Sequence, residues 1–306
     1  MPIKKPSSVV TIVLTWNSAD FIEECLSSLI KSSYPTNILV VDNNSSDNTR
    51  EVISKKFPKI KLVNSGSNIG YAGGNNFGIK IAQKENPEYI FLLNPDATVQ
   101  KDCLKNLISR MNSEKDVGLA SPIILYNDSK VIWYAGSSIN WHNGVTSHIG
   151  ANEIDEGQYS NNLHTERANG CAMIIRASKL REVGLMDEHY FLYYEETDWS
   201  VRFSNAGYSI GLVPAAITWH KASSSTGGHK SALYHYYMTR NRLYFMSKFT
   251  ESRSKYFFAR SIIGSWFSLV AILRKFGVTV FKNCLRGVAA GYYDYSKSKF
   301  GRRKTI

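Results

Sequence analysis

Short, β-branched apolar runs alternate with stretches of helical periodicity along the first third of this chain. Residues 9–14 (VVTIVL), 37–42 (NILVVD), 60–64 and 89–93 (YIFLL) read as strands. Between and after them come four helical stretches. Residues 18–32 carry Phe21, Ile22, Cys25, Leu26, Leu29 and Ile30 at helical spacing; 49–57 stop at Pro58; 70–85 begin with glycines; 102–111 follow the fourth strand. Strands apolar throughout must be covered on both faces, and parallel strands need helical crossovers. The pattern predicts an α/β fold: a Rossmann-like, mostly parallel central sheet with helices on both faces.

Residues 117–157 break the alternation. They are rich in aromatics, Gly, Asn and Ser, with strand-like pieces such as GLASPIIL and VIWYAGSSI, and predict a β-rich insert walling a second substrate. Strand returns at 167–176. Helices follow at 178–183 and at 197–206, the latter closed by Gly207, and short strands at 210–213 and 216–219. After the loop SSSTGG (223–228) the character changes. Residues 230–248 are aromatic and basic, and 256–275 have a wide apolar face that includes Ile262, Ile263, Trp266 and Phe267. The uncharged run 261–273 is too short to span a bilayer. A helix lying in the membrane interface is the expectation, against packing on the body or on a second subunit. The chain thus divides into a body, 1–228, and a basic amphipathic helical C-terminal region, 229–306.

Charge supports that division. From Lys221 onward there are 17 Lys and Arg against two acids, Glu251 and Asp294, whereas residues 1–220 hold 20 against 23. A near-neutral body argues against nucleic acid as its ligand. The four cysteines form no CxxC, which argues against a disulfide framework or structural zinc and fits a reducing cytosol. The N-terminal run is short, β-branched and followed by polar residues, unlike a signal peptide.

Chemistry concentrates at predicted strand ends, where open α/β sheets bind ligands. Asp42 ends ILVVD, placed either to accept hydrogen bonds from a nucleoside or to cap the turn DNNSSD. Asp47 suits the N-cap of the next helix. NSGSNIGYAGGNNFG (64–78) offers backbone N–H groups to phosphate or sugar oxygens. It is not a dinucleotide fingerprint, because its glycines follow the third strand. In LLNPDAT, Asn94 and Pro95 stop a strand and leave Asp96 at its tip, enough for a cation also held by a diphosphate. YYEETDWSVR (193–202) sets Glu195, Glu196 and Asp198 at a helix start, where the macrodipole favours acids. Two aromatics before them would desolvate a base and strengthen it, and Asp198 can pair with Arg202. His220 directly follows the apolar run AAITW. Trp133, Trp141, Tyr193 and Tyr194 are sugar-stacking candidates or core.

Taken in order and spacing, these segments resemble the inverting family 2 glycosyltransferases of GT-A fold, and within them the bacterial rhamnosyltransferase-like branch. The likeness spans roughly residues 8–248 and includes the otherwise unexplained RNRLYF segment. It implies a catalytic body with a nucleotide-sugar half (roughly 1–116) and an acceptor half (roughly 117–228). It places Thr15, Asn17 and Asp42 at the nucleoside, and Asn68, Gly70, Gly73 and Asn75 along the sugar-nucleotide pocket. Asn94 and Asp96 stand where the family has its metal-binding DxD, and His220 matches the later metal-ligand histidine. Glu196 takes the catalytic-base position, with Glu195 beside it at the acceptor; Trp141, Tyr194 and Asp198 are further acceptor-side candidates. Two departures stand out: Asn94 replaces one carboxylate of the DxD, and Glu196 replaces the commoner Asp.

The expected reaction moves a sugar, rhamnose favoured, from a dTDP- or UDP-linked donor. Mg²⁺ or Mn²⁺ assists, and the acceptor is a hydroxyl on a glycan or lipid-linked glycan in surface polysaccharide synthesis. A cytoplasmic enzyme peripheral on the inner membrane face follows, with homo-oligomerisation through the C-terminal helices a further possibility. Two other classes stay open on sequence: a sugar-1-phosphate nucleotidyltransferase, whose basic glycine loop is missing after the first strand, and a non-catalytic carbohydrate-binding or scaffold protein.

Overall fold

A computed structural model describes residues 8–221, 228–250, 255–303 and 306; most of the SSSTGG loop lies outside them. Strands β1 (Val9–Thr15), β2 (Asn37–Asp42), β3 (Lys61–Asn64) and β4 (Tyr89–Leu93) form a parallel block in the order β3-β2-β1-β4. Helices α1 (Ile22–Ile30), α2 (Thr49–Lys56) and α3 (Gly70–Ala82) connect them, and α4 (Cys103–Ser113) follows the short strand β5 (Ala97–Val99). Side chains alternate between two cores, as the period of a strand requires. Val9, Val13, Val40 and Phe91 face Ile22, Leu26 and Leu107, while Ile12, Val41 and Leu92 face Ala72 and Ile79.

Beyond β4 the sheet changes direction. β10 (Ala172–Arg176) runs antiparallel between β4 and β6 (Val117–Tyr126), with Ala172 opposite Leu93. The start of β10 therefore reaches the same sheet edge as the ends of the parallel strands. β11 (Ser209–His220) lies parallel to β6, and its His220 pairs with Ala97 of β5. The two short strands expected at 210–219 are one strand with a register shift between Val213 and Ile217. Pro214 sits in that shift and has no N–H to give a ladder. The insert adds β7 (Ile132–Tyr134) on β6 and a separate hairpin of β8 (Ser137–Asn140) and β9 (Val145–His148). After β10 come α5 (Leu180–Val183) and α6 (Glu195–Asn205). The helix expected from 197 begins two residues earlier, directly after Tyr194 in a left-handed conformation, φ 74°.

Glycine has a packing role in α3. A Cβ on Gly74 would lie 2.4 Å from Leu14 Cδ1, and one on Gly70, at φ +81°, would lie 2.3 Å from the Phe191 carbonyl oxygen. The Gly-rich stretch brings α3 close to β1 and to the loop before α6.

The C-terminal region is α7 (Ala232–Phe249) and α8 (Lys255–Ser296). α8 is not one rod. Gly277 has φ 82° and ψ 179°, and Tyr292 Oη donates to Ser261 Oγ at 2.9 Å. In a straight helix those residues would stand about 46 Å apart. The segment is a hairpin of two arms: the first is the helix expected over 256–275, and the second, after Gly277, folds back on it. Leu269 and Ile272 pack on Cys284 and Val288. Residues 261–296 have a window of mean hydropathy 1.4, of which only 17% is buried.

Lys248 of α7 bonds Asp187 at 2.9 Å and also bonds Asp198 of α6, which Arg202 holds at 2.6 Å. Burial works to raise Asp187, but bonds from Lys248 and His189 outweigh it and hold the carboxyl well below its usual range. A carboxylate with a depressed folded pKa stabilises above its unfolded value near 4, and that contribution disappears as pH falls through the folded pKa. Lys248→Met takes the lysine from the half-buried Asp187 and one of two cations from the buried Asp198, which keeps Arg202. It is expected to cost about 3 kcal/mol at pH 7, a difference shrinking below pH 4 as wild type loses the same contribution. Urea unfolding across pH 2–7 checks this; parallel curves for the two proteins would refute it.

Candidate active site

The ends of β1, β2, β4 and β11, the start of β10 and the start of α6 meet at one edge of the sheet. Asp96 follows β4, and its Oδ1 lies 3.1 Å from His220 Nε2. Both side chains are only 9% exposed, and the Trp133 ring packs 4.6 Å from the imidazole. Burial alone would lower the His220 pKa. The neighbouring Cys171 sulfur and the Asp96 carboxylate overcome it and bring His220 up to about 10. His220 Nδ1 is buried without a hydrogen-bond partner.

These residues fit a divalent cation. One carboxylate oxygen and one imidazole nitrogen converge, and two ligands about 2.1 Å from an octahedral metal stand about 3 Å apart. Binding would displace the proton His220 shares with Asp96. Among the described residues no cluster of three His, Cys, Asp or Glu forms around a metal position, so a donor diphosphate would have to supply further oxygens. Asn94 contributes backbone here: its N–H bonds the Cys171 carbonyl at 2.8 Å and its carbonyl accepts from Ala97.

Glu196 lies at the start of α6 with its side chain 12% exposed. Arg167 Nη1 bonds its Oε1 at 2.5 Å and Thr197 Oγ1 bonds the same oxygen at 3.3 Å. Both of these bonds fall on Oε1 and neither on Oε2. Arg167 is buried and also bonds Ser137 Oγ at 3.2 Å. Segment 167–171 joins the two centres. Arg167 holds Glu196, the Gly170 carbonyl accepts the Tyr71 hydroxyl, and Cys171 adjoins Asp96 and His220. Burial, and then the Glu195 and Glu196 charges, raise the Tyr71 pKa well above its usual value.

Glu195 is placed differently from the expectation. It is 3% exposed and its Oε2 has no partner. Burial, then the adjacent Glu196 charge, raise its pKa well above a normal carboxyl. It lies inside the protein, not at an acceptor surface. Two other acceptor-side candidates are also structural. Tyr194 is 3% exposed and donates to the Gly144 carbonyl at 2.8 Å, while Asp198 is fully buried among Tyr190, Arg202 and Lys248. Trp141 is the exposed one, at 42%, in the turn between β8 and β9 and 5.8 Å from Phe245.

The residues expected at the nucleotide are mostly buried and bonded to one another. Asp42 is fully buried. Its oxygens accept from Ser45 N and Oγ and from Asn64 Nδ2, and Arg50 lies 3.6 Å away. Its turn-capping role is thus filled. Thr15 is paired with it across the sheet and keeps a buried, unpartnered hydroxyl. Asn17, at φ 51°, accepts from Ser46 N at 2.8 Å. Asn68 accepts from Gly70 N at 3.0 Å; Asn75 is buried and bonds the Tyr71 carbonyl; Gly73 lies against Ile69. Asp47 accepts from Thr49 N at 3.0 Å, but the N-cap of α2 is Asn48, one residue later than expected.

Sequence reasoning passed over Arg167, Asn43 and Asn76. Asn43 ties Gly70, Asn68 and Ile69 together, and Asn76 bonds both backbone groups of Met186. Only Arg167 carried a signal, as an arginine entering an apolar strand run.

Residues 10–184 match the sequence profile of glycosyl transferase family 2. A "Low-salt glycan biosynthesis hexosyltransferase Agl10" of Haloferax volcanii is 27% identical over 86% of this chain and 84% of its own. An "N-acetylglucosaminyl-diphospho-decaprenol L-rhamnosyltransferase" of Mycobacterium tuberculosis is 24% identical over 71% of this chain and 76% of its own. Among solved structures, a mannosyltransferase from Pyrobaculum calidifontis, in complex with GDP-Man and Mn²⁺, superposes with TM-score 0.60 at 15% identity. That match covers 95% of this chain and 88% of the other.

Proposed function

The chain belongs to glycosyl transferase family 2, and from that membership we propose that it transfers a sugar, rhamnose favoured, with inversion from a dTDP- or UDP-linked donor to a glycan or lipid-linked hydroxyl. The observation that carries this is the Asp96–His220 pair, linked through segment 167–171 to Glu196 at a helix start. Its protein fold is that of glycosyltransferases solved with nucleotide sugar and Mn²⁺. Glycosyl transfer being the family's reaction, the nucleotidyltransferase and scaffold alternatives fall away.

Asp96 and His220 would hold Mg²⁺ or Mn²⁺. When bound, the cation would neutralise charge on the departing diphosphate. Thr15, Asn17 and Asp42 would form the floor beneath the nucleoside, with Asn68, Gly70, Gly73 and Asn75 shaping the loop beside it. Glu196 Oε2 accepts the proton of the acceptor hydroxyl. The freed oxygen bonds the anomeric carbon as the carbon–diphosphate bond breaks on the opposite face. Arg167 keeps the other carboxylate oxygen fixed during the transfer. Trp141, exposed beside this region, offers a ring for sugar stacking.

The exposed Ile262, Ile263, Trp266 and Phe267, with 17 Lys and Arg beyond residue 220, support contact between the C-terminal region and an anionic membrane surface. That placement suits a lipid-linked acceptor. A panel of dTDP-, UDP- and GDP-sugars with Mn²⁺ or Mg²⁺ tests the donor assignment. One deoxynucleotide or uridine donor is expected to raise the melting temperature in a metal-dependent way and to give product of inverted anomeric configuration. Retained configuration would refute the mechanism.

A further inference from the structure

The six residues leading into α6 hold a backbone shape that few side chains tolerate. Phe191, Tyr193 and Tyr194 have φ of 66°, 68° and 74°, the left-handed region usually left to glycine or asparagine. Such conformations persist only where their surroundings over-determine them. Glu195 and Glu196 follow immediately, so the shape of this turn sets where the base points.

What fixes the turn is a pair on α7. Asn241 Nδ2 lies 3.0, 2.8 and 2.8 Å from the carbonyl oxygens of Tyr190, Leu192 and Tyr193. Arg240 Nη2 donates to the carbonyls of His189 at 3.2 Å and Tyr190 at 2.8 Å. Arg240 Nε donates to Asn241 Oδ1 at 2.8 Å, which sets the orientation of the amide. Both side chains are fully buried. From the opposite side the Phe191 carbonyl accepts the Tyr71 N–H at 2.7 Å, at the start of α3, where Gly70 leaves room for it. The turn is gripped between the helix that opens the donor side and the helix that follows the catalytic body.

A buried arginine and asparagine that bond one turn's main-chain carbonyls define a conformation. Docking α7 would need no such pair, since Phe245 and Met246 already bury apolar surface beside Tyr190 and Tyr194. We propose that Arg240 and Asn241 are positioning residues for Glu196: by locking residues 189–194 they present its carboxylate in one orientation before the acceptor arrives. This rests on Glu196 being the base, and it gives the RNRLYF segment a role.

The test is a mutant cycle between Asn241→Asp, which removes the amide donors at constant size, and Glu196→Gln. Asn241→Asp is expected to lower kcat about 100-fold while UDP and dTDP affinities, measured with Mn²⁺, stay within threefold. In the Glu196→Gln background the same change is expected to add less than threefold, because the group it positions is already gone. Arg240→Gln, which withdraws the bonds to His189 and Tyr190 together with those to the Tyr236 hydroxyl and the Gly301 carbonyl, is read identically if Asn241→Asp does not fold. An unchanged kcat, a parallel loss of nucleotide affinity, or a further 100-fold loss on top of Glu196→Gln would each overturn the proposal. Full turnover by Glu196→Gln alone would instead remove the base assignment and the proposal with it.

Discussion

Glu196→Gln is expected to lower sugar transfer by about 10³-fold, within the range for removing a general base, while nucleotide-diphosphate binding persists. The amide keeps the shape of the side chain but cannot take the acceptor's proton. It also leaves the Arg167 guanidinium, buried and 7% exposed at its side chain, without its counter-charge, so some loss of stability accompanies the change. Melting curves and nucleotide titrations on the same preparation separate the two effects. The neighbouring substitution is the control. Glu195→Gln alters a carboxyl that is buried and whose pKa is raised, so the amide resembles its protonated form. It is expected to change kcat by less than tenfold. Turnover by Glu196→Gln within tenfold of wild type, or a larger loss from Glu195→Gln, would move the base to the other acid.

Asp96→Asn is the second large effect. Asn94 supplies no charge where the family pattern has a carboxylate, so in the proposed site Asp96 would be the acid on which cation binding depends. Its isosteric amide keeps a group beside His220 and removes the charge. Transfer at limiting donor and metal is expected to fall at least 100-fold, and the Mn²⁺ concentration for half-maximal activity to rise by a similar factor. Without the neighbouring charge, His220 loses one of the two influences that raise its pKa and competes less well for its proton. An unchanged metal titration in Asp96→Asn would show that the cation, if used, is held elsewhere.

Strands β1, β2 and β4 were legible because each carries a dense β-branched or apolar run, and they lie where that pattern put them. The antiparallel insertion of β10 was not, because periodicity carries no strand direction. Yet that insertion brings Arg167–Cys171 to the site. Asp96 and His220 were readable as polar residues terminating strands, and they meet. Asp198 and Tyr194 looked equally functional and are buried supports, since local sequence does not tell a desolvated catalytic group from a satisfied structural one. Arg167 and Asn76 act through partners 29 and 110 residues away, a distance over which a single sequence gives no pairing signal. The first arm of α8 lies where 256–275 was read; the return arm after Gly277 was not picked out, because only contacts between the two arms show that a second helix folds back.

That reversal at Gly277 has a topological consequence. The C-terminal region leaves the catalytic body through α7 and comes back to it. Gly301 N–H bonds the His189 carbonyl at 2.9 Å and Arg302 reaches the Asn68 carbonyl at 3.4 Å, while Arg303 N–H bonds the Tyr237 hydroxyl of α7 at 3.0 Å. The hairpin is a handle fastened at both ends. Against the membrane surface proposed above, such a handle would lie on one leaflet, its return leg keeping residues 301–303 on the side where the active site stands.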